Sequence, residues 1–318
     1  MSRGNHTTKN GFTLVGFSDV PELQYFLFSV FLSVFFMSLS AHMFLIVLYR
    51  FSKNLHTPMY FFLANFSFLE ICYISTVTPK MLVNLLSGDK SITFYGCAVQ
   101  TYCFLLLAST ECYILAAMAY DRYNAICHPL LYNITVNREA CIKLIVGSWS
   151  IGLMIAIIQT FLTFSLPFCG PNKINHFYCD IPPIMALACT DTKFNEIITF
   201  VLVLCVVVGA FLLIMVSYIQ ITWTIVKHHS IRGIRKAFST CTSHLIVVII
   251  FYGSASVMYL RPKSSYGTDG DKFISLMYTI IAPLLNPFIY SLRNNDVKVA
   301  VKKLMPKIKI RTIIFYKN

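Results

Sequence analysis

The chain has 318 residues, of which 57% are hydrophobic and only 12% charged, with a formal net charge of +13. An ordinary soluble domain carries about 25% charged residues, and one of this length has too little interior to hide so much apolar surface from water. A water-soluble globule is excluded, which leaves a chain whose apolar surface faces lipid.

Residues 1–23 are polar and hold no apolar signal core, so the first apolar run is expected to act as a signal anchor. Asn5-His6-Thr7 in this segment fits the acceptor pattern for N-glycosylation. Seven apolar runs follow: Leu23–Tyr49, Asn54–Pro79, Ser91–Tyr120, Leu144–Pro171, Ile197–Val226, Ala237–Leu260 and Phe273–Leu292. All are free of charge except the second and third, which hold one acid each, Glu70 and Glu111. Each is close to the roughly 20 residues that cross a bilayer. The runs are continuously apolar rather than alternating, which argues against barrel strands, and a helix satisfies its own backbone in lipid. The expected fold is an all-α membrane protein, a seven-transmembrane helix bundle. Its spans fall at about 24–49, 58–80, 97–120, 141–165, 196–224, 238–260 and 272–291, inside a bundle over 24–303 with a tail at 304–318.

Charge sets the orientation. With the C-terminus cytoplasmic, the cytoplasmic segments sum to +14, the outer segments to +1 and the membrane interior to −2. This is the positive-inside pattern, so the N-terminus is expected outside. The basic excess then reports topology and attraction to anionic lipid headgroups, not nucleic acid.

Four of the eleven cysteines fall on the oxidising side: Cys97 at the start of the third span, and Cys169, Cys179 and Cys189 in the long loop after the fourth. Two disulfides are expected there, and spacing leaves all three pairings open. A carboxylate inside a span costs several kcal/mol unless paired, protonated or wet, so Glu70 and Glu111 are candidate functional groups. Hydrogen-bonded, protonated acids are the plain alternative.

The third span ends in the string MAYDRYNAICHPL (Met118 to Leu130), with Asp121-Arg122-Tyr123 at the water interface. The seventh reads PLLNPFIYSLRN (Pro283 to Asn294), in which Pro287 removes a backbone donor and kinks the helix. The sixth opens with KAFSTCTSHL (Lys236 to Leu245), and LHTPMYFFL (Leu55 to Leu63) precedes the second. Together with the loop LPFCGPNKINHFYCDIPPIMALAC, these strings resemble the olfactory receptors, a branch of the rhodopsin-like G-protein-coupled receptors. The resemblance covers about Phe12 to Lys303.

That resemblance implies the disulfides Cys97–Cys179 and Cys169–Cys189. It implies a polar core of Glu70, Glu111 and Asn286, with Glu70 and Glu111 as a candidate sodium site and no other cofactor. The coupling and switch residues it implies are Asp121, Arg122, Tyr123, Tyr218, Arg235, Lys236, Asn286, Pro287 and Tyr290. Aligned on Cys97 and Arg122, the third helix turns Phe104, Leu105, Ala108 and Ser109 toward a ligand pocket. Leu202, Val206, Tyr252, Tyr259, Tyr278 and Thr279 are expected to join them, with His176 from the outer loop. Such a lining suits a small volatile molecule, and Phe104 stands where amine receptors keep an acid. The implied function is an odorant receptor of the plasma membrane that activates a stimulatory G protein and raises cAMP.

Three departures from the family pattern stand out: Ala41-His42 stand for Gly-Asn, Asn124 replaces a usual valine, and Ala64 and Phe66 replace serine and leucine. They put signalling at issue more than fold. The rival readings are a folded receptor that does not signal and a receptor for a non-odorant apolar ligand. A transporter predicts inverted repeats and broken helices, a channel a polar stripe, and an enzyme a positioned nucleophile and base. The sequence displays none of these.

Overall fold

The structure is a computed structural model that describes residues 11–17, 20–169, 172–228, 231–259, 269–292 and 296–303. Seven helices are long and apolar enough to cross a membrane: Pro21–Phe51, Pro58–Leu86, Phe94–Cys127, Arg138–Phe164, Lys193–Lys227, Cys241–Tyr259 and Gly270–Ser291. Their starts follow local chemistry. Proline opens the first two helices, where its missing N–H costs nothing. Thr93 caps the third by accepting from the Gly96 N–H at 3.0 Å, and Asn137 caps the fourth by accepting from Ala140 at 2.9 Å.

Several helices outrun the apolar runs that announced them. The third continues through Asp121-Arg122-Tyr123 to Cys127, and the sixth starts at Ile231, ahead of its apolar stretch. Lipid sets the length of the apolar window, whereas the helix continues for as long as packing and capping support it. The third helix is central and packs against the second, fourth, fifth and sixth, its contact with the fourth being the most extensive in the bundle. The first packs chiefly against the second and seventh and turns Phe36, Met37 and Phe44 outward.

Two π-helical turns interrupt the regular helices, at Leu204–Val208 in the fifth and Met277–Ile281 in the seventh. Each inserts a residue and rotates the remainder of its helix.

The outer end carries a small sheet. β1 (Phe12–Leu14) pairs antiparallel with β2 (Ser91–Ile92) and parallel with β3 (Lys173–Ile174), in the order β2-β1-β3. Gly11 enters it at φ +93°, where a Cβ would strike the Ile92 carbonyl, so glycine is required. Phe12 stacks on Phe94 and meets Phe168 edge-on, and with Leu14, Ile174 and Ile184 these rings form a second small core. The N-terminal segment is thus folded against the loop that covers the bundle.

Candidate functional site

Beneath the outer loop lies a cavity of about 710 Å³ of atom-free space, mouth included. The third helix lines it with Phe104, Leu105, Ala108 and Ser109, the fifth with Leu202 and Val206, and the sixth and seventh with Tyr259 and Tyr278. Gln159 of the fourth helix, Thr199 of the fifth, Phe251 of the sixth and Tyr73 of the second join the wall unannounced by any motif. The lining is apolar apart from a few hydroxyls and one amide, the make-up of a site for small organic molecules.

Three residues expected on this wall are elsewhere. Tyr252 is buried below the cavity, where its hydroxyl donates to the Cys112 carbonyl at 2.9 Å. Its neighbour Phe251 takes the wall position, about 100° around the helix. Thr279 lies in the π turn, fully buried, with its hydroxyl turned back to the Ser275 carbonyl at 2.7 Å. His176 lies behind the roof, fully buried, 3.1 Å from the Ser275 hydroxyl.

The roof is the outer loop itself. Disulfides join Cys97 to Cys179 and Cys169 to Cys189, each with Cα atoms 5.6 Å apart. The third helix grips the same strand of loop: Thr101 donates to the Cys179 carbonyl at 2.9 Å, and the Cys179 N–H donates to Gln100 at 3.0 Å. Next to Cys179, Asp180 is buried and receives hydroxyl protons from Tyr178 at 3.2 Å and Tyr259 at 3.1 Å. This acid stands in the motif-rich loop, and only its place beside the bridging cysteine hinted at a role.

Two titrations in this roof oppose each other. Burial, helped by the charge of Lys272, pushes His176 down from 6.5 to about 3. Burial pushes Asp180 up from 3.8 to about 6, against the bonds it accepts from Tyr259, Ile181 and Tyr178. Folding strips a proton from His176, so its contribution is lost as pH falls from about 6.5 toward 3. Folding holds a proton on Asp180 more tightly, so its contribution grows as pH falls through about 6 toward 3.8. Between about pH 6 and pH 4 the slopes cancel. We predict that this pair adds little net slope to the melting temperature of the purified protein over that range. Relative to the unsubstituted protein, His176→Gln is expected to gain melting temperature between pH 6 and pH 4, and a difference that does not change with pH would reject the pairing.

Below the cavity, Asn286 donates to Glu70 Oε1 across the second and seventh helices. Glu70 Oε2, both Glu111 oxygens and Asn286 Oδ1 are buried without a hydrogen-bond partner, and the Glu70 and Glu111 carboxyls interact electrostatically. A cluster of buried oxygens with few donors is the environment a hard cation suits.

At the cytoplasmic end, the Asp121 carboxylate accepts the Tyr132 hydroxyl at 2.7 Å. Tyr132 comes from a helical turn, Tyr132–Thr135, folded beneath the third helix. Among the described residues no ion pair joins Asp121 to Arg122; the tyrosine takes the carboxylate, and the arginine acts on it only through its charge. Arg122 lies within electrostatic reach of Tyr218, His244 and Tyr290. His244 is buried and bridges three helices: Nε2 lies 3.1 Å from the Leu115 carbonyl and Nδ1 2.9 Å from the Tyr218 hydroxyl. A carbonyl only accepts, so Nε2 carries the proton and Nδ1 accepts from Tyr218. Tyr123 bonds His128 at 2.9 Å, and the Tyr290 ring lies edge-on to Phe66 with its hydroxyl unpartnered. Arg235 and Lys236 fall on the sixth helix, but their side chains, like Asn5, lie outside the described residues.

A family model described as olfactory receptor matches residues 31–307. The chain belongs to the olfactory receptor family. It is 50% identical over 297 residues to the human protein named olfactory receptor 10AG1, covering 93% of this chain and 99% of that relative. It is 49% identical to mouse olfactory receptor 5AP2, over 95% of each chain. It is 47% identical to human olfactory receptor 10A3, over 96% of this chain and 97% of the relative. It is an odorant-sensing G-protein-coupled receptor, a multi-pass protein of the plasma membrane.

The departures of this olfactory receptor from the family pattern now have locations. Pro287 has no N–H to give the carbonyl four residues back, which is that of Pro283. His42 of the first helix supplies the missing donor, its Nε2 lying 2.9 Å from the Pro283 oxygen. Histidine therefore does here what an amide donor can do, and ties the first helix to the proline bend. Asn124 is buried and satisfies itself by donating to the Tyr120 carbonyl at 2.8 Å. Phe66, fully buried, provides the face against which Tyr290 rests.

Proposed function

We propose that this receptor binds a small, weakly polar odorant in the cavity under the outer loop and raises cAMP through a stimulatory G protein. The observation behind this reading is the run of the third helix. It lines the cavity from Phe104 to Cys112 and, on the same continuous helix, carries Arg122, whose charge reaches Tyr218 and His244. A ligand that favours one arrangement of the cavity walls shifts the population of helix packings at the far end by its differential affinity for the two states. In the activated state the cytoplasmic end of the sixth helix moves away from the third and fifth, and Arg122 and Tyr123 face the G protein together with Arg235 and Lys236. Tyr290 and Pro287 let the seventh helix follow, with Asn286 as the polar hinge. Glu70, Glu111 and Asn286 would hold a sodium ion, which supplies the positive charge that the two buried carboxyls lack. Asn5 would carry the glycan of the outer segment.

The test is a cAMP assay over a broad odorant panel in cells matched for surface receptor. Arg122→Ala is expected to lower the response at least about tenfold, a coupling loss within the usual 1–3 kcal/mol range. A response that survives the change removes Arg122 from the mechanism. Silence across the panel at full surface expression favours a receptor that folds without signalling.

A further inference from the structure

The cavity roof carries a hydrogen-bond polarity that bears on the class of odorant, on the basis of the reading that this cavity is the odorant site. Asp180 is pushed up by burial only to about 6, so it is ionised at a neutral outer surface. An ionised carboxylate has no proton to give. Tyr259 and Tyr178 must therefore turn their protons to it, to Oδ1 at 3.1 Å and Oδ2 at 3.2 Å. Oδ1 also takes the Ile181 N–H at 2.9 Å. With its proton committed, the Tyr178 oxygen is an acceptor, and Tyr278 lies 2.9 Å away to donate to it. Ser275 stands 2.9 Å behind Tyr278, and His176 3.1 Å behind Ser275, so the chain runs in one direction from the histidine to the carboxylate.

Tyr259 and Tyr278 are the members of this chain that face the cavity. Both protons point away from it, so what they offer a ligand is lone pairs. Donation into a charged acceptor makes each oxygen a better acceptor in turn. Asp180 is itself buried with both oxygens taken and does not line the cavity. An ammonium therefore has no direct carboxylate to pair with, while a carboxylate ligand meets the unscreened field of Asp180. Gln159, on the fourth-helix wall, carries an amide donor that serves a hydroxyl and a carbonyl oxygen alike, so it does not discriminate between them.

We infer that the Tyr259–Tyr278 roof is a subsite for a hydroxyl donor, and that this receptor takes small apolar alcohols or phenols in preference to ketones, ethers and acids of the same skeleton. The experiment uses matched probes: borneol, camphor and bornyl methyl ether, and the octanol, octanone and methoxyoctane series. Two readouts are taken on the full chain, cAMP dose–response in cells and thermal stabilisation of the purified receptor. The alcohol is expected to act at a concentration at least about tenfold below that of its ketone and ether, the change one hydrogen bond of about 1.4 kcal/mol makes. Tyr259→Phe, which keeps the ring and removes the acceptor, is expected to bring the three probes to within about threefold of one another. In Asp180→Asn the amide oxygen stays where it accepts the Ile181 N–H, and the NH2 at the other position donates to Tyr178. Tyr178 can then turn its proton to Tyr278 and free the Tyr278 proton for the cavity, so the ketone should gain relative to the alcohol. If the Asn variant fails to reach the surface, the Phe variant decides. Equal or stronger action of the ketone on the unsubstituted receptor overturns the donor subsite while leaving the cavity as an odorant site. Stabilisation by none of the probes overturns the cavity reading and the subsite with it.

Discussion

Replacing His244 with leucine is expected to raise the basal cAMP signal of this receptor without any odorant. His244 bonds the sixth helix to both the third and the fifth, through the Leu115 carbonyl at 3.1 Å and the Tyr218 hydroxyl at 2.9 Å. Both bonds exist only while the sixth helix lies against its neighbours. Leucine fills a similar space but makes neither, and it leaves the buried Tyr218 hydroxyl without its acceptor. Two buried hydrogen bonds are worth about 1–3 kcal/mol together, which corresponds to a shift of about 5- to 150-fold in the ratio of the two helix packings. The cAMP baseline, normalised to surface receptor, measures this directly. Tyr218→Phe removes one of the same bonds, so the double variant should show less than the sum of the single effects. An unchanged baseline for His244→Leu at normal surface levels would mean that the sixth helix is held elsewhere.

This restraint also shows where sequence reading reaches its limit. The spans could be placed because lipid enforces a continuous apolar run of fixed length, and that rule needs no partner. The third-helix wall could be placed because Cys97 and Arg122 fix the phase of one uninterrupted helix from both ends. On the seventh helix Tyr278 lines the wall and Thr279, the next residue around the helix within the π turn Met277–Ile281, does not. Phase on the sixth helix, which has no such pair of anchors, slipped by one residue from Phe251 to Tyr252. His244 is a lone ionisable group inside a charge-free run, which is a signal, but its two partners are 129 and 26 residues away. Asp180 is hidden for the opposite reason, because in a loop on the water side an acid has no apolar run to stand out against. The outer sheet left no trace at all: strands of two and three residues have no periodicity, and their pairing joins segments that are far apart in sequence. The Asp121 partner is not legible either, because Tyr132 lies 11 residues away, while adjacent side chains such as Asp121 and Arg122 diverge by about 100° on a helix.

The largest structural effect is expected at Gly152, which no motif marks. It faces the third helix at the most extensive contact in the bundle. A Cβ there would overlap the Thr110 side-chain oxygen and stand 2.7 Å from the Leu106 carbonyl oxygen and 3.2 Å from the Thr110 nitrogen. Two of these three atoms are backbone and cannot rotate away. Thr110 is no freer, since its hydroxyl is bonded to that same Leu106 carbonyl at 2.6 Å. In lipid, close backbone approach at a small residue is a main source of helix–helix attraction. Even alanine must therefore push the third and fourth helices apart, at an overpacking cost of about 1–3 kcal/mol, and leucine must cost more. Ile155 and Gln159, one and two turns further along the fourth helix, line the cavity under the outer loop together with Leu105 and Ala108, so separation at Gly152 also widens that wall. Gly152→Ala should lower the melting temperature of the purified receptor and weaken every agonist together, whereas Gly147→Ala, with open space around its Cβ position, should do neither. Equal melting temperatures for the two variants would show that the third and fourth helices are not in the close contact seen here, and the shape of the cavity would have to be drawn again.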